Sequence, residues 1–185
     1  VALAFVAVGL RLLQHRGARL RQRVETAWRD PVDALVLDGT PLPAVPGREQ
    51  PMVLDLLLRY RAMLRGPEAA RITDYLEEQG YVQQAGEGLR SRNRWRRATS
   101  ASLLGRMRSD GAVAALGDLM SDERDDVRMT AARSLAAIGD PAAVDALTTA
   151  LADSSRWTAT TVATDLIEMG PASVPTLIEI AASAD

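Results

Sequence analysis

This chain of 185 residues has no cysteine and no lysine, and its only histidine is His15. The missing cysteines exclude disulfide bonds, thiolate catalysis and metal sites with cysteine ligands. One histidine is too few for a histidine-based metal site. No nucleophile elbow, phosphate-binding loop or dinucleotide-binding motif occurs either. We therefore expect a protein that is not an enzyme, with no catalytic residue, no metal and no cofactor.

Aromatic residues are also few, at three tryptophans, three tyrosines and one phenylalanine. Alanine and leucine dominate the apolar fraction of 47 %, and such small and aliphatic residues suit closely packed helices. All 22 basic residues are arginine, which is typical of a GC-rich bacterial genome, and they are outnumbered by 24 acidic residues. The net charge of −2 argues against a protein that binds nucleic acid over its whole surface.

The second half of the chain repeats itself at a spacing of 31 residues. The matched positions include Arg97 with Arg128, Leu104 with Leu135, Val113 with Val144, and Leu116 with Leu147. A fainter third copy continues to Asp185. A fixed period in this range is typical of a solenoid, in which each unit buries its apolar face only by stacking on its neighbours.

Each repeat is predicted to be a helix, a tight turn and a second helix. In the clearest copy the first helix covers 127–138, and Gly139 follows it as a left-handed cap. Asp140 then stands as the N-cap of the second helix, with Pro141 at its first position. Asp110 and Ser173 are expected at comparable cap positions in the flanking copies, and the second helices at 111–121, 141–152 and 174–182.

The middle copy resembles the HEAT repeat family, in the short form also seen in phycobilin-lyase-like HEAT proteins. The resemblance is carried by Asp126-Val127-Arg128, the Ala131-Ala132 pair, Leu135, and Ile138-Gly139-Asp140-Pro141 with Val144 and Leu147. It implies an all-α fold, a right-handed α-solenoid of helical hairpins over 52–185. The repeats are expected at about 94–125, 126–156 and 157–185, after a degenerate cap over 52–89 in which 81–89 is a connector. The ladder of Asp–Arg pairs common in HEAT arrays is expected only in the middle repeat.

The first ten residues are apolar and are followed at once by arginines. We interpret 1–29 as the end of a transmembrane helix and a basic juxtamembrane helix; a buried first helix of a soluble array is the alternative. Asp30-Pro31 should end this helix, and 30–51 should form a proline-rich linker. The residues expected at the anionic membrane surface, on the cytoplasmic side of a bacterial plasma membrane, are Arg11, Arg16, Arg19, Arg21 and Arg23.

Two surfaces of the array are candidates for binding. The resemblance implies that second helices line the concave side, where the partner-binding candidates are Ala115, Asp118, Asp145, Thr149 and Glu179. These helices contain no arginine, which disfavours phosphate contacts there. A basic patch is formed by Arg92, Arg94, Trp95, Arg96 and Arg97. Its composition fits nucleic acid, but a half-buried Trp95 that seals the array is the preferred interpretation.

The sequence thus predicts a membrane-anchored, cytoplasmic HEAT-repeat scaffold that binds a protein partner. The partner is expected to be an integral-membrane protein, with the scaffold as an accessory subunit of an enzyme such as a glycosyltransferase, and nucleic acid is not expected. The alternative is a soluble HEAT-like nucleic-acid-binding protein or DNA glycosylase.

Overall fold

A computed structural model describes the backbone of residues 2–152, together with 164, 167, 170–175 and 178. Side chains are described within these ranges from Leu20 onward, except at 145, 148–152 and 172. Throughout the described part, regular structure is helical, with no strand. This agrees with the all-α fold predicted from the sequence.

The chain divides into two compact units, Val1–Ile72 and Thr73–Asp185. The division lies within the third helix and not at the predicted linker. The α-helices are α1 (Ala2–Asp38), α2 (Gln50–Met63), α3 (Gly66–Glu78), α4 (Tyr81–Leu89), α5 (Arg94–Met107), α6 (Val113–Leu119), α7 (Asp125–Ile138) and α8 (Pro141–Ala152). Short 3₁₀ turns occupy Asp110–Ala112 and Gly170–Ser173.

In the first unit, α1 continues through Pro31 to Asp38, so the predicted helix end at Asp30 is wrong. Proline inside a helix removes one backbone hydrogen bond and crowds the preceding turn. Here the turns after it bury Val32, Leu35 and Val36, and α1 packs on α2. The burial of these side chains outweighs the cost of the proline. The non-helical connector is therefore confined to the residues between Asp38 and Gln50.

The C-terminal end of α1 is capped from within the same unit. Gly39 follows the helix with a φ of 72°, a left-handed conformation that glycine adopts without strain, and its N–H donates to the Leu35 carbonyl. The Arg71 guanidinium donates to the carbonyl oxygens of Val36 and Leu37, the latter at 2.7 Å. These donors satisfy the last carbonyls of a helix that runs beyond its predicted end.

The helices of the second unit lie in two rows. The helices α5 and α7 pack on each other, while α4, α6 and α8 follow one another in contact. A single core joins the two rows, and its fully buried members include Leu104, Leu116, Leu135 and Leu147. The segment 81–89, predicted to be a connector, is helix α4 and belongs to the row of second helices. Ala85 and Leu89 bury its inner face.

Neighbouring helices of this unit approach closely at small residues. A Cβ atom added to Gly105 of α5 would lie 2.7 Å from the Cα of Ser134 in α7. A Cβ on Gly88 of α4 would overlap the hydroxyl of Ser100 in α5. Glycine at these two positions lets the backbones come together, as the abundance of small residues in the sequence indicates.

The turn signals of the middle repeat are confirmed. Gly139 adopts the left-handed conformation with a φ of 77°, and Asp140 Oδ1 accepts the Ala142 N–H at 2.7 Å. The expected cap at Asp110 is wrong, because the chain enters α6 through a 3₁₀ turn that includes Asp110. The preceding Ser109 is buried and donates its hydroxyl to Glu77 at 2.5 Å. Ser173 ends the second 3₁₀ turn, with its hydroxyl bonded to the Gly170 carbonyl.

Candidate docking surfaces

A groove of about 530 Å³ lies between α4 and α6, and we call it the α4–α6 groove. Its lining includes Gln83, Gly86, Glu87, Ala115, Asp118 and Leu119. The volume lies within the range of pockets that hold ligands or inserted side chains. Two residues predicted from the sequence for the concave side, Ala115 and Asp118, are therefore placed together in one depression.

The α4–α6 groove is acidic. The exposed carboxylates of Glu87 and Asp118 have no ion pair with any residue that the structure describes. A third carboxylate of the lining, Asp122, is neutralised by Arg97, and the one basic residue of the lining is Arg90. The described residues hold no group of three His, Cys, Asp or Glu arranged to bind a metal. Such a groove favours a basic ligand and repels phosphate.

Glu87 was missed because the sequence interpretation made 81–89 a connector. The signal was available, since the shift of 31 residues that relates the repeats also places Val82 on Val113 and Glu87 on Asp118. The two carboxylates of the groove thus occupy equivalent positions on successive second helices. The side chains of the other concave candidates, Asp145, Thr149 and Glu179, are outside the described residues.

Arg97 belongs to the array framework rather than to the basic patch. Its Nε and a terminal nitrogen donate to the two oxygens of Asp122 at 2.7 and 2.9 Å, and the side chains are only 11 % and 8 % exposed. A third donor reaches the carbonyl of Ser91 at 3.0 Å. An Asp–Arg pair is therefore present in the first repeat, where the sequence analysis did not expect one.

Arg128, the equivalent of Arg97 in the next repeat, reuses part of this arrangement. It donates to the Asp122 carbonyl at 2.8 Å, the counterpart of the bond from Arg97 to Ser91, and to the Asp125 carboxylate at 2.6 Å. Within the described part of the chain, its buried Nε has no hydrogen-bond partner. The two equivalent arginines therefore cross-link the same turn, 122–125, to α5 and α7.

The electrostatics of Asp122 follow from this cluster. Burial by itself raises the pKa of its carboxyl group. The hydrogen bonds from Arg97 and from the Arg124 N–H lower the pKa, as do the charges of Arg97 and Arg128. The lowering effects prevail, so the pKa of Asp122 lies below its ordinary value of 3.8 and the group is ionised at neutral pH.

Arg92, Trp95 and Arg96 of the basic patch are exposed, so the prediction of a half-buried Trp95 is wrong. The Trp95 side chain is 64 % exposed. By the repeat spacing Trp95 corresponds to Asp126 at the outer side of α7, whereas buried Val127 corresponds to Arg96. The Arg94 guanidinium lies over the Trp95 ring at 4.9 Å from its centroid. Arg92 and Arg96 are exposed beside it.

The predicted membrane-surface arginines lie on α1. Arg21 and Arg23 are exposed, while the side chains of Arg11, Arg16 and Arg19 are outside the described residues. None of the helices in the described ranges has a stretch that is both long and apolar enough to cross a membrane.

Comparison with known proteins finds a family match. Residues 82–168 match the family model described as HEAT repeats, a span that begins in α4 and extends beyond α8. No curated protein matches the chain. The family match and the all-helical structure together support a HEAT-repeat protein with a helical solenoid, and HEAT repeats generally mediate protein–protein interactions.

Proposed function

We propose that this protein is a non-enzymatic HEAT-repeat scaffold that docks a protein partner through the α4–α6 groove. The observation that carries the proposal is the groove itself, in which Glu87 and Asp118 present carboxylates that form no ion pair within the described part of the chain. Charged groups in such a position fix the register and the specificity of a docked segment, while the apolar part of the lining supplies contact area.

We further propose that the N-terminal segment holds the scaffold at a membrane and that the partner is an integral-membrane protein, such as a glycosyltransferase. This part rests on the apolar residues 1–10 and on the arginines that follow them, of which Arg21 and Arg23 are exposed. A short apolar segment and a basic cluster reinforce each other at an anionic membrane surface, since each arginine near the surface contributes about 1 kcal/mol.

Purification of the full-length protein in mild detergent tests the docking proposal. A stoichiometric protein partner should co-elute with the wild type and be lost with Asp118→Arg, which reverses the charge of the groove. Asp110→Arg is the matched control, because Asp110 is an exposed aspartate outside the groove lining. Loss of the partner with both variants, or with neither, would contradict docking in the groove.

Membrane fractionation tests the anchor separately. We expect the full-length protein in the membrane fraction, and a shift toward the soluble fraction when Arg21 and Arg23 are both changed to Glu. Recovery of the wild type in the soluble fraction at low salt would refute membrane attachment without bearing on the groove.

A further inference from the structure

Trp95 is an exposed tryptophan of the second unit. It lies in the first turn of α5, and its backbone N–H donates to Asn93 Oδ1 at 2.9 Å. Arg94 covers one ring face through a cation–π contact, so the other face is open. A rigid indole ring with a guanidinium already stacked on it is preorganised for binding, and tryptophan and arginine are the residues most enriched at the energetic centres of protein interfaces.

The charges around the ring are cationic and accessible. Arg92 and Arg96 are exposed, and in the described ranges neither forms an ion pair. Arg94 has one loose ion pair, with Asp126 at 3.6 Å. The repeat framework does not explain these residues, because the corresponding positions of the next repeat hold Asp126 and the buried Val127. The second regular repeat therefore lacks this surface, whereas the fainter third copy has an arginine and a tryptophan at the equivalent positions, Arg156 and Trp157.

We propose that Arg92, Trp95 and Arg96 form a docking surface for an acidic segment of a protein partner, called the Trp95 surface below. An apolar side chain of the segment packs on the open face of the indole ring, and its carboxylates pair with Arg92 and Arg96. This surface is opposite in charge to the α4–α6 groove. It therefore takes a different ligand, and the proposal holds whether or not the groove binds a partner.

A protein segment fits this surface better than a nucleic acid does. Arg94 already occupies one face of the ring, which leaves a single face for stacking. Arg97, the remaining cation of the patch, is engaged with Asp122. The carboxylates of Glu123 and Asp126, 3.8 and 3.6 Å from the guanidinium groups of Arg97 and Arg94, would repel a phosphate backbone. A short acidic segment that meets the surface at Arg92 and Arg96 brings fewer negative charges past these two carboxylates than a continuous phosphate backbone does.

Fluorescence anisotropy with a labelled peptide rich in Glu and Asp and carrying one Leu tests the Trp95 surface on the full chain. Binding is expected in the micromolar range and should weaken as salt rises. Trp95→Ala should weaken it about 30-fold, whereas Trp95→Phe, which keeps an aromatic face, should retain most of it. The double variant Arg92→Glu, Arg96→Glu should abolish it.

Two controls separate the proposal from general electrostatics. Arg133→Glu changes the charge of an exposed arginine on α7 and should leave peptide affinity within about twofold, as expected for a charge outside the interface. A peptide with Lys in place of Glu and Asp should not bind the Trp95 surface. Absence of binding by the acidic peptide, equal binding by Trp95→Ala, or tighter binding of oligothymidine than of the peptide would each overturn the proposal.

Discussion

The two compact units hold their helices together by different means. Both units have buried apolar cores, but in the first unit α1 also meets its neighbours through hydrogen bonds and an ion pair of long polar side chains. The pairs are Trp28 with Glu49 and Tyr60 with Asp33, both at 2.9 Å, and Arg59 with Glu25 at 3.2 Å. In the second unit the helices approach through glycine and serine, and one buried ion pair ties a turn to them.

This difference determines how each unit tolerates change. Long side chains at a partly exposed interface can rearrange and can be replaced by water, so single losses there are small. Backbones in close contact have no such freedom, because a protein interior transmits the displacement of one helix to the next. A substitution in the second unit should therefore lower the free energy of unfolding more than a comparable substitution in the first unit.

The largest effect is expected for Gly105→Ala. The added methyl group would press on the backbone of Ser134, so α5 and α7 must move apart, at a cost of about 3 kcal/mol in the free energy of unfolding. Gly88→Ala should cost less, since the atoms it meets belong to the Ser100 side chain. Gly47→Ala in the first unit meets no atom within 4 Å and is the control. Urea unfolding measures all three, and equal stability of the Gly105 and Gly47 variants would show that the close approach is absent.

The second largest effect is expected from the removal of a buried ion pair, which should cost more than the removal of an exposed one. Arg97→Met leaves the carboxylate of Asp122 buried without its main partner and should lower the free energy of unfolding by about 2 kcal/mol. Arg59→Met in the first unit removes a pair with Glu25 in which the side chains are 43 % and 37 % exposed. Its cost should stay below about 1 kcal/mol. Hydrogen exchange should show the loss of protection around 91–128 for Arg97→Met, and similar losses in both variants would be inconsistent with the contrast.

Replacing one proline in each unit should change the free energy of unfolding in opposite directions. Pro31→Ala restores a backbone donor inside α1 and should stabilise the first unit by about 1 kcal/mol. Pro141→Ala removes a residue suited to the first position of α8 and should destabilise the second unit by about 0.5 kcal/mol. Thermal unfolding followed by hydrogen exchange assigns each change to its unit. A destabilising Pro31→Ala would mean that the proline ring itself packs in the α1–α2 interface.

The prolines also show what could be predicted from the sequence. Around Gly139, Asp140 and Pro141 every local signal agrees with the 31-residue repeat, so the ends of α7 and α8 were predicted to within about two residues, the usual uncertainty of a helix end. At Pro31 the local signal conflicts with burial of the residues after it, and burial decides. No local rule reveals which partner will cover Val32 or Leu35, because α2 lies beyond a connector.

The residues of the two docking surfaces also differ in whether the sequence could predict their positions. Asp118 was predicted because the repeat and the family resemblance assign it to the concave side, and the same spacing could have identified Glu87. The exposure of Trp95 could not be predicted from the repeat spacing. A tryptophan among arginines at the start of a helix fits a buried seal as well as an exposed contact, and only the packing of α5 on α4 and α7 shows which face it occupies.

The smallest effect concerns acid sensitivity, which should begin in the second unit. The pKa of Asp122 in the folded protein lies below its ordinary value of 3.8, so the folded state is stabilised by ionised Asp122 at neutral pH. This contribution is complete above about pH 3.8, the ordinary value, and is lost as pH falls through the lower folded-state pKa. Protonation removes the charge that pairs with Arg97 and that also attracts the nearby Arg128.

Alkaline pH should not separate the units, because the pKa is raised for Tyr60 in the first unit and for Tyr75 and Tyr81 in the second, by burial in each case. The acid experiment is therefore the discriminating one. Hydrogen exchange below pH 4 should show earlier loss of protection in 91–128 than in α1 and α2, and Asp122→Asn should be less stable at neutral pH but lack this acid-dependent step. An unchanged acid profile in Asp122→Asn would assign the acid sensitivity to other carboxylates.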